Sequence, residues 1–135
     1  VNDLLNSPYQ IYQQSSVQTA NRGKLLIMLY EGAIRFTKTG IEGMHKHNHE
    51  STNTNLKKAQ AIVHELIASL DQSYDISKDL LSIYEYMLHL LIESNLKKNP
   101  TLAEEALGYL VELHEAWKQA VNVPFNKVSE ETNMV

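Results

Sequence analysis

Cysteine is absent from the 135 residues, which removes disulfide scaffolds, cysteine zinc sites, iron–sulfur clusters and thiol catalysis. Proline is confined to positions 8, 100 and 124, so residues 9 to 99 run without that helix breaker. Positive charge is in deficit: 12 lysines and arginines face 16 aspartates and glutamates, a formal charge of −4. That balance argues against nucleic acid as a partner. Long apolar runs are missing too. The longest, Leu25 to Tyr30, falls far short of the roughly 20 residues of a membrane span, so no membrane insertion is expected. Val1-Asn2-Asp3 is polar and acidic rather than basic and then apolar, so no secretion leader is read there. The chain starts without methionine, as if a residue or two preceded Val1. Valine and threonine do not cluster and no Asn-Gly or Asp-Gly hairpin turn occurs, which leaves strand signals poor. A soluble protein of the reducing bacterial or other cytosol is the default expectation.

The helical period is what the sequence does contain. Apolar residues make up 43% and charged residues 21% of the chain, a globular composition, and the length suits one domain. Leu56, Ala59, Val63, Leu66 and Leu70 are spaced +3, +4, +3, +4, as one buried stripe requires. Leu81, Tyr84, Leu88, Leu91 and Asn95 repeat the alternation, and Leu102, Ala106, Leu110, Leu113, Trp117 and Ala120 form another stripe. A first long helix carries Leu25, Leu29, Ala33, Phe36 and Gly40. The spacing predicts four helices near 21–47, 53–72, 78–98 and 101–121. Asn21 and Ser77 are the expected N-caps of the first and third, and Thr101 to Glu104 reads as a capping box for the fourth. Short links between long helices make neighbours antiparallel. The expected fold is therefore all-α, an antiparallel up-down four-helix bundle over 21–121. A short N-terminal helical segment, opened by Pro8 with Tyr9 and Tyr12 on one side, packs on it from within 1–20, and a loose tail covers 122–135.

The bundle has more apolar surface than such a fold needs. About three positions in seven suffice for a core-facing helix, yet Leu25 to Tyr30 is apolar on every side. Leu80 to Ile92 is apolar around most of its circumference. The functional reading of this surplus is a groove that receives another helix. Burying five such side chains would contribute roughly 1.5–3 kcal/mol each before the ordering costs of association. Ile62, Ile67, Ile83 and Met87 are the candidate groove residues, joined by Ile27, Met28, Tyr30 and Tyr84 from the two over-apolar helices and by Tyr9 and Tyr12. On this reading, Ile62→Asp with Met87→Asp leaves helicity intact and weakens the partner.

Chemistry is harder to find. A di-iron bundle needs two Glu-x-x-His pairs and two further inward glutamates, whereas Glu42 to His45 is a lone pair and the apolar stripes hold no carboxylate. His45, His47 and His49 alternate where a helix meets a polar loop, with no Asp or Cys to complete a site, and read as a solvated loop. His64 on the second helix is the alternative: a small four-helix domain with an exposed histidine is similar to histidine phosphotransfer modules. Those modules place a lysine and a small residue one turn on, where this chain has Ile67 and Ala68. No Gly-rich phosphate loop exists. No catalytic residue, metal site or cofactor is expected.

Several blocks carry a family resemblance. Pro8-Tyr9-x-x-Tyr12, Val17-x-Thr19-Ala20 and the run from Met28 to Phe36 resemble the flagellar secretion chaperone FliS family. The likeness continues through Asn55 to Ile62, Glu65-Leu66, Tyr84 to Met87, Asn95 and Ala116 to Ala120. It spans roughly residues 8 to 121, and the stretch Leu29 to Phe36 is its most specific part. The chain departs from the family at Asn21-Arg22-Gly23-Lys24, where members often have Ser/Thr-Pro-x-Glu, and in its His45 to His49 stretch. The resemblance implies a cytosolic, non-enzymatic export chaperone. Its partner would be the C-terminal region of flagellin, disordered in the monomer, kept from premature polymerisation and competent for flagellar type III export. It also implies contact with a component of the flagellar export gate; the chain itself would be a monomer or weak homodimer. Tyr9 and Tyr12 would lie over part of the groove and move when flagellin arrives.

Overall fold

The structure, a computed structural model, describes residues 22–122. They form four helices: α1, Arg22–His45; α2, His49–Ala68; α3, Asp75–Lys97; and α4, Pro100–Asn122. No strand occurs among the described residues. Each helix packs on the next and α4 returns to α1, so the four close a ring around one core. The segments expected over 1–20 and beyond 122, with Asn21 as a cap, lie outside the described residues.

The predicted helix ends shift where a side chain other than the expected one supplies the cap. Residues 46–48 suffice to turn α1 into α2, with His47 in the left-handed region at φ 56°. Asn48 then caps α2 by accepting from the Ser51 backbone N–H at 3.1 Å, which starts the helix four residues before the predicted 53. Helix α3 begins at Asp75 without a side-chain cap. Ser77, the expected cap, instead lies inside the first turn and donates its hydroxyl to the Asp71 carbonyl at 2.5 Å. At α4, Pro100 takes the first helical position, where its missing N–H costs nothing. Asn99 Oδ1 accepts from the Thr101 N–H at 3.0 Å, so Asn99, not Thr101, does the capping. Lys98 ends α3 in the left-handed conformation, at φ 51°.

The stripes read from the sequence point inward, with one rotation. All five positions from Leu56 to Leu70 are buried, as are Leu25, Leu29, Ala33, Phe36 and Gly40. On α3, however, the inward face is Leu80, Tyr84, Met87, Leu91 and Ser94, while Leu81 and Leu88 are half-buried. On α4 the innermost residues are Ala103, Ala106 and Leu110. Helices α1 and α2 approach most closely where α1 has no side chain. A Cβ at Gly40 would stand 2.6 Å from Leu56 Cδ2, and one at Gly43 would stand 2.7 Å from Thr52 Oγ1. The space is used: the buried Thr52 hydroxyl is shared between the Gly40 carbonyl at 3.1 Å and the Asn48 carbonyl at 3.2 Å. Asn95 Nδ2 donates to Asn53 Oδ1 at 2.9 Å and ties α3 to α2 near the same end.

Candidate functional site

The residues expected to meet a partner divide into three groups. Tyr30 on α1 and Tyr84 on α3 are fully buried and hydrogen-bond to each other through their hydroxyls across the core. The half-buried Trp117 side chain on α4 packs against the same core. Burial holds the Tyr30 phenol far above its ordinary range, and Tyr84 adds to the effect while Trp117 opposes it. Burial likewise pushes Tyr84 up to about 12, against the opposing bond to Tyr30. Ile62 and Met87 are also core residues, 1% and 0% exposed. Ile62 lies against Gly32, and Met87 follows the inward rotation of α3. In the described structure these four side chains are therefore spent on the bundle itself. The double aspartate substitution would strike the core rather than an open groove.

Ile27, Ile67 and Ile83 are half-buried, and the last two pack against the edge of the core. Met28 is 42% exposed. These four remain at or near the surface. Tyr9 and Tyr12 lie outside the described residues.

Sequence reasoning missed other apolar side chains that the fold leaves outside. Ile76, Tyr86, Ile92, Leu96 and Val111 are all exposed. Ile92 and Leu96 are one helical turn apart, so a period count extended beyond the main stripe would have flagged an outer row. Val111 carried no such signal. On the α3–α4 side, Tyr86 donates its hydroxyl to Glu105 Oε2 at 2.8 Å and meets the edge of Tyr109 at 6.0 Å between ring centroids. The Glu105 bond raises the Tyr86 phenol above its usual value. On the α1–α4 side lies a groove of about 570 Å³, lined by Glu31, Ile34, Arg35, Lys38, Thr39, Val111 and His114. His114 Nε2 and Glu31 Oε2 are 3.2 Å apart across its rim. On the α1–α2 side, Arg35 and Lys58 both stand over the Phe36 ring, 5.1 and 5.5 Å from its centroid.

The alternative chemistry gains nothing from the structure. His64 is exposed on α2, and the positions one turn on remain Ile67 and Ala68. His45, His47 and His49 are exposed around the α1–α2 turn. Among the described residues no three His, Asp or Glu side chains gather as a metal site, and no helix is long and apolar enough to cross a membrane.

Fold and surface define the class: a small helical bundle with apolar side chains at its seams and on its outer faces. Comparison supplies the family. The model of the family described as "Flagellar protein FliS" matches residues 5–124, and the chain belongs to the FliS family. It is similar to the flagellar secretion chaperone FliS of Bacillus subtilis (strain 168), 36% identical over 117 residues that cover 87% of this chain and 88% of the relative. It is also similar to the proteins of that name from Salmonella typhimurium, 31% identical over 113 residues covering 82% and 84% of the two chains. The Escherichia coli (strain K12) relative is 27% identical over 118 residues covering 85% and 87%.

Proposed function

We propose that this chain is a cytosolic chaperone of flagellar export that binds the C-terminal region of flagellin along apolar seams of an antiparallel up-down bundle. The observation that carries the reading is membership of the FliS family over nearly the whole chain. The exposed apolar side chains on three of the four helices supply the physical means. Gly43 lies against Thr52, Gly40 against Leu56 and Gly32 against Ile62, an order that supports opposite directions for α1 and α2. An amphipathic segment folding on such seams gives up conformational entropy and gains buried apolar surface. While held, it cannot enter a polymer.

Met28, Ile27, Ile67 and Ile83 are the accessible members of the binding set. Tyr9 and Tyr12 cover part of the seam in the free protein and move aside on loading. Contact with the export gate follows the same family reading, and the chaperone works as a monomer or weak homodimer without catalysis. Calorimetry with the C-terminal region of a flagellin encoded in the same genome tests the core of this reading. Tight 1:1 binding with a negative heat-capacity change is expected, and absence of binding refutes it. Hydrogen exchange over residues 8–14, with and without that ligand, tests the role of the tyrosines. Unchanged protection removes them from the mechanism.

A further inference from the structure

We infer that the outer side of α1 and α2 is a docking surface for an acidic segment of a second protein, separate from flagellin. The inference stands apart from the chaperone reading, because it invokes neither flagellin nor an apolar groove. Charge is segregated across the bundle. Residues 22–68, which hold α1 and α2, carry seven lysines and arginines against four glutamates. Residues 75–122, which hold α3 and α4, carry four lysines against eight aspartates and glutamates. A chain with a formal charge of −4 therefore has one basic half and one acidic half, and the basic half attracts a partner through that partner's acids.

Four of the cations gather at one level. Gly40 lies against Leu56 and Gly32 against Ile62, which brings Phe36 level with Lys58. Arg35 Cζ from α1 and Lys58 Nζ from α2 stand 5.1 and 5.5 Å from the centre of the Phe36 ring. Exposed Lys38 and Lys57 flank them, so a basic band crosses from the outer side of α1 onto α2. No acid interrupts it: α1 has none between Glu31 and Glu42, and α2 has none between Glu50 and Glu65. None of the four makes an ion pair among the described residues. The ring attracts each cation but carries no net charge to balance them. A carboxylate set between Arg35 and Lys58 supplies that charge, because guanidinium and ammonium both donate to its oxygens.

What the band lacks narrows the partner. The apolar residues at its level, Phe36, Leu56, Ala59 and Ile62, are all buried. They leave no apolar floor for an amphipathic helix and nothing to enter a bilayer. An extended polyanion such as RNA binds through many dispersed phosphate contacts, and a single band of four cations offers few. A compact group of carboxylates, such as one turn of an acidic helix, matches it in size and sign. The band is also prepared in advance. Phe36 is 9% exposed and held by the core, so the two cations resting on its ring need little ordering when the carboxylates arrive.

The test titrates the full chain with a labelled oligoglutamate peptide at low ionic strength, beside phosphatidylserine vesicles and a single-stranded RNA. Two double variants are compared with the unaltered chain. Arg35→Gln with Lys58→Gln empties the centre of the band, and Lys78→Gln with Lys118→Gln removes the same charge from exposed positions on α3 and α4. Circular dichroism verifies the fold of each. The unaltered chain is expected to bind the peptide. The first variant should bind it about tenfold or more weakly and with a shallower salt dependence. The second should bind it as the unaltered chain does. The inference is overturned if the unaltered chain ignores the peptide, if the first variant binds it unchanged, or if the second weakens as much as the first. Tighter binding to vesicles or RNA than to the peptide overturns it too. In each of these cases the chaperone reading stands, because flagellin binding is measured separately.

Discussion

Tyr30 and Tyr84 hydrogen-bond hydroxyl to hydroxyl in the middle of the core, joining two helices that are not neighbours in the chain. Tyr30→Phe strands the Tyr84 hydroxyl, and Tyr84→Phe strands that of Tyr30. Stranding a buried polar group costs about 1–3 kcal/mol. Each single substitution is therefore expected to destabilise the fold in urea unfolding by an amount of that order. In a double-mutant cycle the two substitutions should be less than additive.

The same pair sets an alkaline limit. Both phenols hold their protons more tightly in the folded chain than at the ordinary value of 10.0. Their contribution is complete below that value and is lost as pH rises through about 12, the value for Tyr84. Stability should show no dependence on these groups between about pH 7 and 9 and should fall steeply above about pH 10. Replacing both tyrosines with phenylalanine should flatten that fall. An unchanged alkaline limb would assign it to other groups.

Glycines of opposite character give opposite results. Gly40→Ala drives a methyl into Leu56 and should cost about 1–3 kcal/mol despite alanine's better helix propensity. Gly108→Ala meets nothing and should gain about 1 kcal/mol. Thermal unfolding of the two variants beside the parent checks the sign of each.

Removal of the α2 cap offers a local test. Asn48 Oδ1 holds the Ser51 N–H, and Asn48→Ala should lower stability by about 1 kcal/mol. The loss of hydrogen-exchange protection should concentrate in the first turn of α2.

Burial also reverses the outcome first expected for the aspartate pair. Ile62→Asp with Met87→Asp places two carboxylates in the core, and isolated buried charges are strongly destabilising. The expected result is loss of the cooperative fold. Met28→Asp, at a 42% exposed position, should keep the fold and weaken the flagellin segment.

Four helices were legible because the 3.6-residue period needs only the order of apolar residues, and the α2 stripe is its cleanest case. The ends were less legible. Asn48, Ser77, Asn99 and Thr101 are all good caps by residue type, and only the competition among neighbouring N–H groups selects which of them bonds. The candidate site was less legible still. Whether Met87 or Leu88 faces inward depends on how far α3 turns about its own axis. That turn is fixed by contacts between distant positions, such as Tyr30 with Tyr84. A surplus of apolar residues can be counted from a sequence, but the members left outside are chosen by the packing. Val111 shows the limit, because nothing around it in the chain distinguishes it from a core valine.

At Gly40 and Gly43 helix α1 meets Leu56 and Thr52 of α2 with room for hydrogen and little else. One consequence concerns variation rather than stability. In a library covering every substitution, most of the outer face of α1 should accept change freely, while these two positions should return glycine almost alone. The tolerance map of a single helix would then trace the line along which its neighbour lies.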